Sequence, residues 1–375
     1  LLNREAALIA RRLADVASNP DKTRFVAGSM GPTTKTISVT GGISFDDLSL
    51  SYYEQALGLI EGGVDVLLLE TSQDVINVKA GLDGIDRAMA ELDIEVAVAV
   101  QGTIEPMGTL LAGQDAEAFY TSLSHRDLLW LGFNCATGPA FMTDHIRTLA
   151  GLSHFPVSCV PNAGLPDEDG NYNESPEMLA GTIGRFVESG WVNVVGGCCG
   201  TEPEHIRGLS AMVKGKRPRD LPSQSETRVS GIEALLIDED LRPCIIGERT
   251  NVLGSRRFRK LISEGAFEEA SEVGRTQVRN GAHILDVCLQ DPDREEVVDM
   301  AEFLGFLTRK VKSPIMIDST DHHVVEEALK MLQGKSIINS INLEDGEVRF
   351  EQVVPLAKRY GAALVVGCID DDPVQ

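Results

Sequence analysis

The sequence predicts an α/β protein with two (β/α)8 barrels of the TIM type in tandem. Short β-branched, apolar runs alternate with amphipathic helical stretches along most of the 375 residues, which is typical of βαβ units around a parallel sheet. Most of these runs are almost continuously apolar, as expected for parallel strands that are buried on both faces. Gly, Asn, Cys or Glu residues follow nearly every run, in the position where the active-site loops of such barrels lie.

The first array of alternating elements holds six predicted strands within residues 1–214. A closed barrel needs eight strands and roughly 250 residues, and the sequence starts at Leu1 without an initiator Met. We therefore expect residues 1–214 to form a barrel that is incomplete at its N-terminus. The predicted strands are Arg24–Ala27, Val64–Leu69, Val96–Val100, Leu128–Phe133, Pro156–Val160 and Val192–Val195, and the clearest helices are Leu48–Glu61, Val75–Leu92 and Pro176–Ser189.

A polar, Pro-rich stretch interrupts this alternation, so residues 215–242 are predicted to be a linker. The alternation then restarts with five predicted strands in residues 243–375. We expect this second domain to be a barrel that is incomplete at its C-terminus. Its predicted strands are Cys244–Ile246, Ile284–Val287, Ile315–Ile317, Ser336–Ile338 and Ala363–Val366, with helices Phe267–Asn280 and Val324–Leu332 between them.

Composition and charge exclude several classes of function. The chain carries 57 Asp and Glu against 34 Lys and Arg, a net charge of −23, which opposes binding to nucleic acid or to an anionic membrane. No apolar run approaches the roughly 20 residues of a membrane-spanning helix. Seven cysteines without a secretion signal indicate a reducing cytoplasm and thiol or metal chemistry rather than disulfides.

The sharpest local signal is a pair of adjacent cysteines, Cys198 and Cys199, in a glycine turn directly after a predicted strand. Cys135 also ends a strand, two strands earlier, so a barrel would place all three on one rim. An isolated cysteine is more often a small core residue, which is the interpretation we adopt for Cys159, Cys244 and Cys368. The three rim cysteines instead predict a catalytic zinc site, because such zinc takes three protein ligands and keeps one position open. A substrate thiol bound in that position would be activated as a thiolate.

Three motifs of the first array resemble the homocysteine S-methyltransferase domain over about residues 5–213: GFNCATGP around Cys135, PNAGLP at residues 161–166 and VGGCCGTEPEHI at residues 195–206. The resemblance implies that Cys135, Cys198 and Cys199 are the zinc ligands and carry the catalysis. It implies that Glu70 faces the amino end of homocysteine, although a charged rim residue without a ligand is the alternative. It also implies that Asn162 can fill the fourth zinc position before homocysteine binds.

Polar side chains end the first four strands of the second array. Such carboxylates and amides suit the paired donors and acceptors of a pterin, although the same residue types also cap βα loops for structural reasons. The strings GERTNVLGS, IMIDST and INSIN are similar to the pterin-binding barrel of cobalamin-dependent methionine synthases. One departure is Cys288, which stands where many relatives have Asn. A thiol lacks the two N–H donors of an amide, so the resemblance does not assign this residue a pterin contact. The residues that the resemblance assigns to pterin binding are Asn251, Asp286, Asp318 and Asn339.

Together the resemblances imply a cytoplasmic methyltransferase of methionine synthesis. It would move a methyl group from 5-methyltetrahydrofolate via cobalamin to a zinc-bound homocysteine thiolate, giving methionine and tetrahydrofolate. No part of the sequence resembles a cobalamin-binding module, so cobalamin is expected from a region outside this chain or from a separate chain. Two alternatives remain: a cobalamin-independent homocysteine S-methyltransferase that uses a sulfonium or betaine donor, and a regulatory or structural zinc module closed by a fourth protein ligand.

Overall fold

The computed structural model describes residues 1–222, 226–344 and 346–369. The chain divides into two compact units, the first consisting of Leu1–Tyr120 and Asp127–Ser223, the second of Thr121–Arg126 and Gln224–Gln375. Residues 223–225 of the predicted linker and residues 370–375 of the predicted second domain lie outside the described residues. Among the described helices, none is both long enough and apolar enough to cross a membrane.

The first unit contains a six-stranded sheet in the order β1-β2-β3-β4-β5-β6, and every neighbouring pair is parallel. Strands that follow one another in sequence and in space, each joined through a helix, confirm the predicted α/β class. The closure of this sheet into a barrel stays a prediction. The strands are β1 Ala27–Met30, β2 Val66–Ser72, β3 Ala97–Gly102, β4 Trp130–Cys135, β5 Val157–Pro161 and β6 Val194–Val195, and the helices are α1 Leu2–Ala17, α2 Phe45–Glu61, α3 Val75–Leu92, α4 Ala116–Leu123, α5 Thr143–Leu152, α6 Pro176–Glu188 and α7 Pro203–Val213.

The first strand lies three residues later than predicted, at Ala27–Met30 instead of Arg24–Ala27. Polar contacts hold the segment before it: the Arg24 amide donates to Ser18 Oγ at 2.9 Å, and the Val26 amide donates to Asp65 Oδ2 at 2.6 Å. Strand pairing starts only at Ala27, opposite Val66. The small residues of this strand carry little β-propensity, so the more apolar residues before it dominated the prediction.

The second unit contains a five-stranded parallel sheet in the order β9-β10-β11-β12-β13. The same alternation of strand and helix confirms the α/β class here as well. As in the first unit, closure into a barrel stays a prediction. The strands are β9 Ile246–Asn251, β10 Ile284–Cys288, β11 Ile315–Asp318, β12 Ile337–Ile341 and β13 Ala363–Val366, and the helices are α8 Arg256–Ser263, α9 Phe267–Arg279, α10 Glu296–Leu307, α11 His322–Met331 and α12 Val348–Tyr360.

Part of the predicted linker is a β-hairpin. Strands β7 (Arg228–Ser230) and β8 (Ala234–Leu236) pair antiparallel, so residues 228–236 of the predicted linker form regular structure that the sequence did not indicate. The hairpin is ordered because it buries apolar surface: Val229 is only 2% exposed and packs with Ile284, Met316 and Ile337, which lie at the start of their strands. Two three-residue strands are too short to show a clear alternation of apolar and polar residues.

Candidate functional site

Three cysteines converge at the carboxyl ends of the strands of the first unit. Cys135 is the last residue of β4, whereas Cys198 and Cys199 follow β6, with β5 between the two strands. The Cys199 Sγ lies 3.9 Å from both the Cys135 Sγ and the Cys198 Sγ, and all three sulfurs lie within 4.8 Å of one another. The structure thus brings together the residues that the sequence places on one rim, and Cys199 is exposed to solvent.

Unusual backbone geometry points these cysteines at one another. Cys135 and Ala136 adopt φ angles of 62° and 57°, a left-handed conformation that is costly for residues with a Cβ and that clusters at functional sites. On the other side, the Cys198 amide donates to the Pro161 carbonyl at 2.8 Å. The Cys199 carbonyl accepts from the Ala163 amide at 3.0 Å. These bonds continue the pairing of β5 and β6 into the loops and fix the position of the two adjacent thiols.

The ionisation of the cluster favours a bound cation. Hydrogen bonding from Cys198 lowers the pKa of Cys135 to about 5, and the same contact raises the pKa of Cys198 above its usual range. One thiol therefore ionises readily, whereas a second thiolate beside it needs a compensating positive charge. A tetrahedral zinc with bonds of about 2.3 Å places its sulfur ligands about 3.8 Å apart, close to the 3.9 Å between neighbouring sulfurs here. The three soft donors fit zinc.

Asn162 connects the two loops that carry the cysteines. Its Nδ2 donates to the Ala136 carbonyl at 2.7 Å, and its Oδ1 accepts from the Cys199 amide at 3.1 Å. The side chain is buried, with 5% exposure, and contributes to the lowered pKa of Cys135. In this arrangement Asn162 spaces the loops, and its predicted entry into the fourth zinc position would require its Oδ1 to leave the Cys199 amide.

Asn134 was not predicted from the sequence, yet it connects the cysteines to Glu70. The Asn134 side chain is fully buried, and its Oδ1 accepts from the Thr71 amide at 2.7 Å. Its Nδ2 lies 2.8 Å from the Thr71 Oγ1, 3.3 Å from the Glu70 Oε2 and 3.8 Å from the Cys198 Sγ. The other Glu70 oxygen accepts from Ser29 Oγ at 2.5 Å. The one feature of the sequence that could have indicated Asn134 is its position directly before Cys135 in the GFNC string.

Tyr172 is a second neighbour of the cluster that the sequence did not indicate. It lies in the loop between β5 and α6, where an isolated bridge pairs it with Pro166. Its ring rests on Gly200, which has a φ of 75° and at which any Cβ would overlap the ring. Partial desolvation and the adjacent Cys199 thiol raise the pKa of Tyr172. The tyrosine therefore covers one side of the cysteine cluster.

The four polar residues that the sequence assigns to pterin binding come together on four neighbouring strands of the second unit. Asn251 ends β9, and its Nδ2 donates to the Asp286 Oδ2 at 3.3 Å and to the Asp318 Oδ2 at 3.2 Å. The Asn339 Nδ2 approaches the Asp286 Oδ1 at 3.4 Å. Asp286 and Asp318 belong to β10 and β11, and Asn339 belongs to β12. Two carboxylates and two amides thus form one connected group.

This polar group binds protons more tightly than ordinary carboxylates do. Burial, followed by the charges of Asp286, Glu296 and Glu248, raises the pKa of Asp318 to about 6. Burial also raises the pKa of Asp286, although hydrogen bonds from Asn251 and Asn339 oppose this shift. Because the carboxylates repel one another in a partly desolvated place, a ligand that presents N–H donors would relieve both the repulsion and the lost solvation.

Two further side chains support the strand that carries Asn251. Gln277 of α9 accepts the Arg249 amide at its Oε1 at 2.6 Å and donates from Nε2 to Thr250 Oγ1 at 3.3 Å. Thr250 Oγ1 in turn donates to the Asp286 carbonyl at 2.5 Å. This chain of bonds joins α9, β9 and β10 behind the polar group. Gln277 sits in an ordinary amphipathic helix, so the sequence offered no signal for it.

The remaining cysteines separate into buried and exposed. Cys159 and Cys288 are 0% and 1% exposed, and burial raises the pKa of each to about 12. Cys159 is thus a core residue as expected, and Cys288 is a neutral thiol next to Asp286. Cys244 is partly buried and packs against a core cluster. The core interpretation is wrong for Cys368, which is exposed because it lies two residues beyond the end of β13.

Comparison with known families gives two matches along the chain. The sequence model of the homocysteine S-methyltransferase family matches residues 1–213, which is more than half of the 375 residues. This protein belongs to the homocysteine S-methyltransferase family. The sequence model of the pterin binding enzymes matches residues 247–375, so this family member carries a pterin-binding type of domain after its homocysteine S-methyltransferase domain.

Solved structures of the homocysteine methyltransferase MmuM from Escherichia coli are similar to part of this family member. The apo form is 23% identical with a TM-score of 0.45 over 56% of this chain and 72% of that chain. The metallated form is 23% identical with a TM-score of 0.46, covering 56% of this chain and 69% of that chain. The oxidized form is 22% identical with a TM-score of 0.45, covering 56% of this chain and 70% of that chain.

Proposed function

We propose that this homocysteine S-methyltransferase family member is a cobalamin-dependent methionine synthase. It would transfer a methyl group from 5-methyltetrahydrofolate, by way of cobalamin, to homocysteine held at Cys135, Cys198 and Cys199. The polar group of the second unit supports a folate donor. The observation that carries the methyl-acceptor part of the proposal is the convergence of the three sulfurs within 4.8 Å at the ends of β4 and β6. Zinc bound there would lower the pKa of the substrate thiol, so that the sulfur is a thiolate at neutral pH.

The residues around the cysteines would orient homocysteine. Glu70 is held from both sides, by Ser29 Oγ on one carboxylate oxygen and by Asn134 Nδ2 on the other. Its negative charge then suits the ammonium group of an amino acid, while the exposed side of Cys199 leaves room for the substrate sulfur. Asn162 keeps the two cysteine-bearing loops at a fixed spacing. The thiol proton would leave toward solvent on the exposed side of the cluster.

The second unit would bind the folate donor. The N–H groups of the pterin pyrimidine edge would donate to Asp286 and Asp318, and Asn251 and Asn339 would complete the polar contacts. The match to pterin binding enzymes over residues 247–375 supports this assignment. We propose that both sheets belong to (β/α)8 barrels, with domains at residues 1–214 and 243–375. Cobalamin would be bound by a region outside this chain or by a separate protein.

Donor preference tests the proposal. The zinc-loaded protein should form methionine from homocysteine with free methylcobalamin as the donor, and Cys198→Ala should abolish this activity. Formation of methionine from S-methylmethionine or betaine, but not from methylcobalamin, would identify a cobalamin-independent homocysteine methyltransferase instead. If zinc-loaded protein takes up homocysteine without releasing a proton, the metal site would be closed, and a structural zinc module would replace both enzymatic assignments.

A further inference from the structure

Arg349 of α12 contacts the backbone near the carboxyl ends of two neighbouring strands, β11 and β12. Its Nη2 donates to the Ser319 carbonyl at 2.6 Å, and its Nη1 donates to the Thr320 carbonyl at 2.8 Å. Its Nε approaches the Ser340 carbonyl at 3.4 Å. One guanidinium therefore uses all three of its nitrogens on backbone oxygens, two in the loop after β11 and one near the end of β12.

Each of these two contacted segments directly follows a residue assigned to the pterin. Asp318 immediately precedes Ser319, and Asn339 immediately precedes Ser340. Asp318 and Asn339 are also direct partners in the register of β11 and β12. The guanidinium thus holds the backbone directly after Asp318 and directly after Asn339. A change in its geometry would move the Asp318 carboxylate relative to the Asn339 amide.

Arg349 places a partly buried positive charge against backbone oxygens. Burial lowers its pKa, and the charge of Asp321 opposes that shift. Within the described part of the chain, its hydrogen-bond acceptors are the neutral carbonyls of Ser319, Thr320 and Ser340. The flat, forked guanidinium is suited to holding several acceptors at fixed angles, whereas a lysine ammonium acts as a single point charge.

We propose that Arg349 is a positioning residue of the pterin site, which holds Asp318 and Asn339 at the spacing that a planar bicyclic ligand requires. This role rests on the proposed folate-binding function of the second unit. Arg349 does not contact the ligand in this account. It acts through the backbone carbonyls of Ser319, Thr320 and Ser340.

Binding of 5-methyltetrahydrofolate by the full chain tests this role. Arg349→Ala should weaken binding about tenfold or more, the loss expected when a charged donor is removed from buried acceptors. Arg349→Lys should restore only part of the affinity, because one ammonium cannot serve three carbonyls at fixed angles. Zinc content and homocysteine binding should not change in either variant. Arg275→Lys is the matched control, because Arg275 is exposed and pairs with Glu272, away from the polar group.

Chemical rescue separates positioning from general stability. Guanidinium ion, added to Arg349→Ala at a concentration too low to unfold the protein, should restore folate affinity relative to an equal concentration of sodium chloride. A protein that was merely destabilised would respond in the opposite direction, because guanidinium weakens folding. Unchanged folate affinity in Arg349→Ala, or absence of rescue, would overturn the positioning role. If the unaltered protein fails to bind 5-methyltetrahydrofolate, the proposed function fails, and this role fails with it.

Discussion

The Asn134 amide lies 3.8 Å from the Cys198 sulfur, as a buried donor aimed at one member of the cysteine cluster. The same nitrogen reaches the Glu70 carboxylate at 3.3 Å. One side chain therefore touches both the proposed zinc ligand and the proposed acceptor for the homocysteine ammonium. Because hydrogen bonds to metal ligands orient them and tune the metal, Asn134 is expected to affect zinc and substrate binding together.

We predict that Asn134→Ala weakens zinc affinity about tenfold to a hundredfold, the usual range for loss of a partner of a metal ligand. The apparent KM for homocysteine should also rise, because Glu70 loses one of its two hydrogen bonds. Zinc affinity can be measured by competition with a chelator. Asn19→Ala, at an exposed asparagine that bonds the Asp21 amide, should leave both quantities unchanged. Unaltered zinc affinity in Asn134→Ala would contradict the prediction.

A second prediction concerns the contact between Tyr172 and Gly200. Gly200→Ala should cost more stability than Gly190→Ala, although both glycines have similar positive φ angles of 75° and 67°. A Cβ at Gly200 would overlap the Tyr172 ring, whereas one at Gly190 meets nothing within 4 Å. The backbone cost shared by both is about 1 kcal/mol.

Zinc retention adds a second measurement to this comparison. We expect faster zinc release from Gly200→Ala than from Gly190→Ala, because displacement of Tyr172 opens the side of the cluster next to Cys199. Denaturant unfolding gives the stability difference, and a colorimetric chelator gives the release rate. Equal stability and equal release rates in the two variants would mean that the tyrosine does not support the cluster.

The sequence predicted the cysteine cluster well because strand ends and glycine turns are local features. Helix α3 has the predicted bounds Val75–Leu92, since its amphipathic pattern is long and Asp74 caps its start. The bonds of Asn134 and Gln277 could not be predicted, because they depend on side-chain directions that only the folded sheet defines. The hairpin around Val229 was missed for a related reason: its burial comes from residues more than fifty positions away in sequence.

A third prediction concerns the ionisation of Asp318. Its folded pKa of about 6 lies above the ordinary 3.8, so the folded state binds this proton more tightly than the unfolded state does. The stability from this carboxyl is therefore fully present below its unfolded pKa and is lost as the pH rises through about 6. Asp318→Asn, which cannot ionise, should avoid that loss and be more stable than the parent at pH above 7.

The free energy of unfolding of Asp318→Asn above pH 7 should exceed that of the parent by about 1 kcal/mol. The difference is this small because solvent screens the charge of a half-exposed carboxyl. It should shrink as the pH falls toward 4, and folate affinity should nevertheless drop by about 1–3 kcal/mol through loss of a ligand contact. Urea unfolding across the pH range measures the first effect and ligand titration the second. Asp293→Asn, at an exposed loop residue, is the control. A stability difference between Asp318→Asn and the parent that does not vary with pH would contradict the raised pKa of Asp318.

A fourth prediction concerns Cys288, the residue at which the pterin-binding resemblance of the sequence is interrupted. Cys288→Asn should leave folate affinity unchanged or increase it, because an amide adds two donors beside Asp286. Ligand titration against the parent protein measures the change. Weaker folate binding would mean that this buried position, 1% exposed, has no room for an amide.

The central claim is that a homocysteine thiolate occupies the fourth position of a zinc held by Cys135, Cys198 and Cys199. X-ray absorption at the zinc edge tests this claim most directly. Without homocysteine, we expect three sulfur ligands at about 2.3 Å and one nitrogen or oxygen ligand. On addition of homocysteine, the lighter ligand should be replaced by a fourth sulfur at a similar distance. A zinc environment that homocysteine leaves unchanged, or one with fewer than three protein sulfurs, would contradict the account.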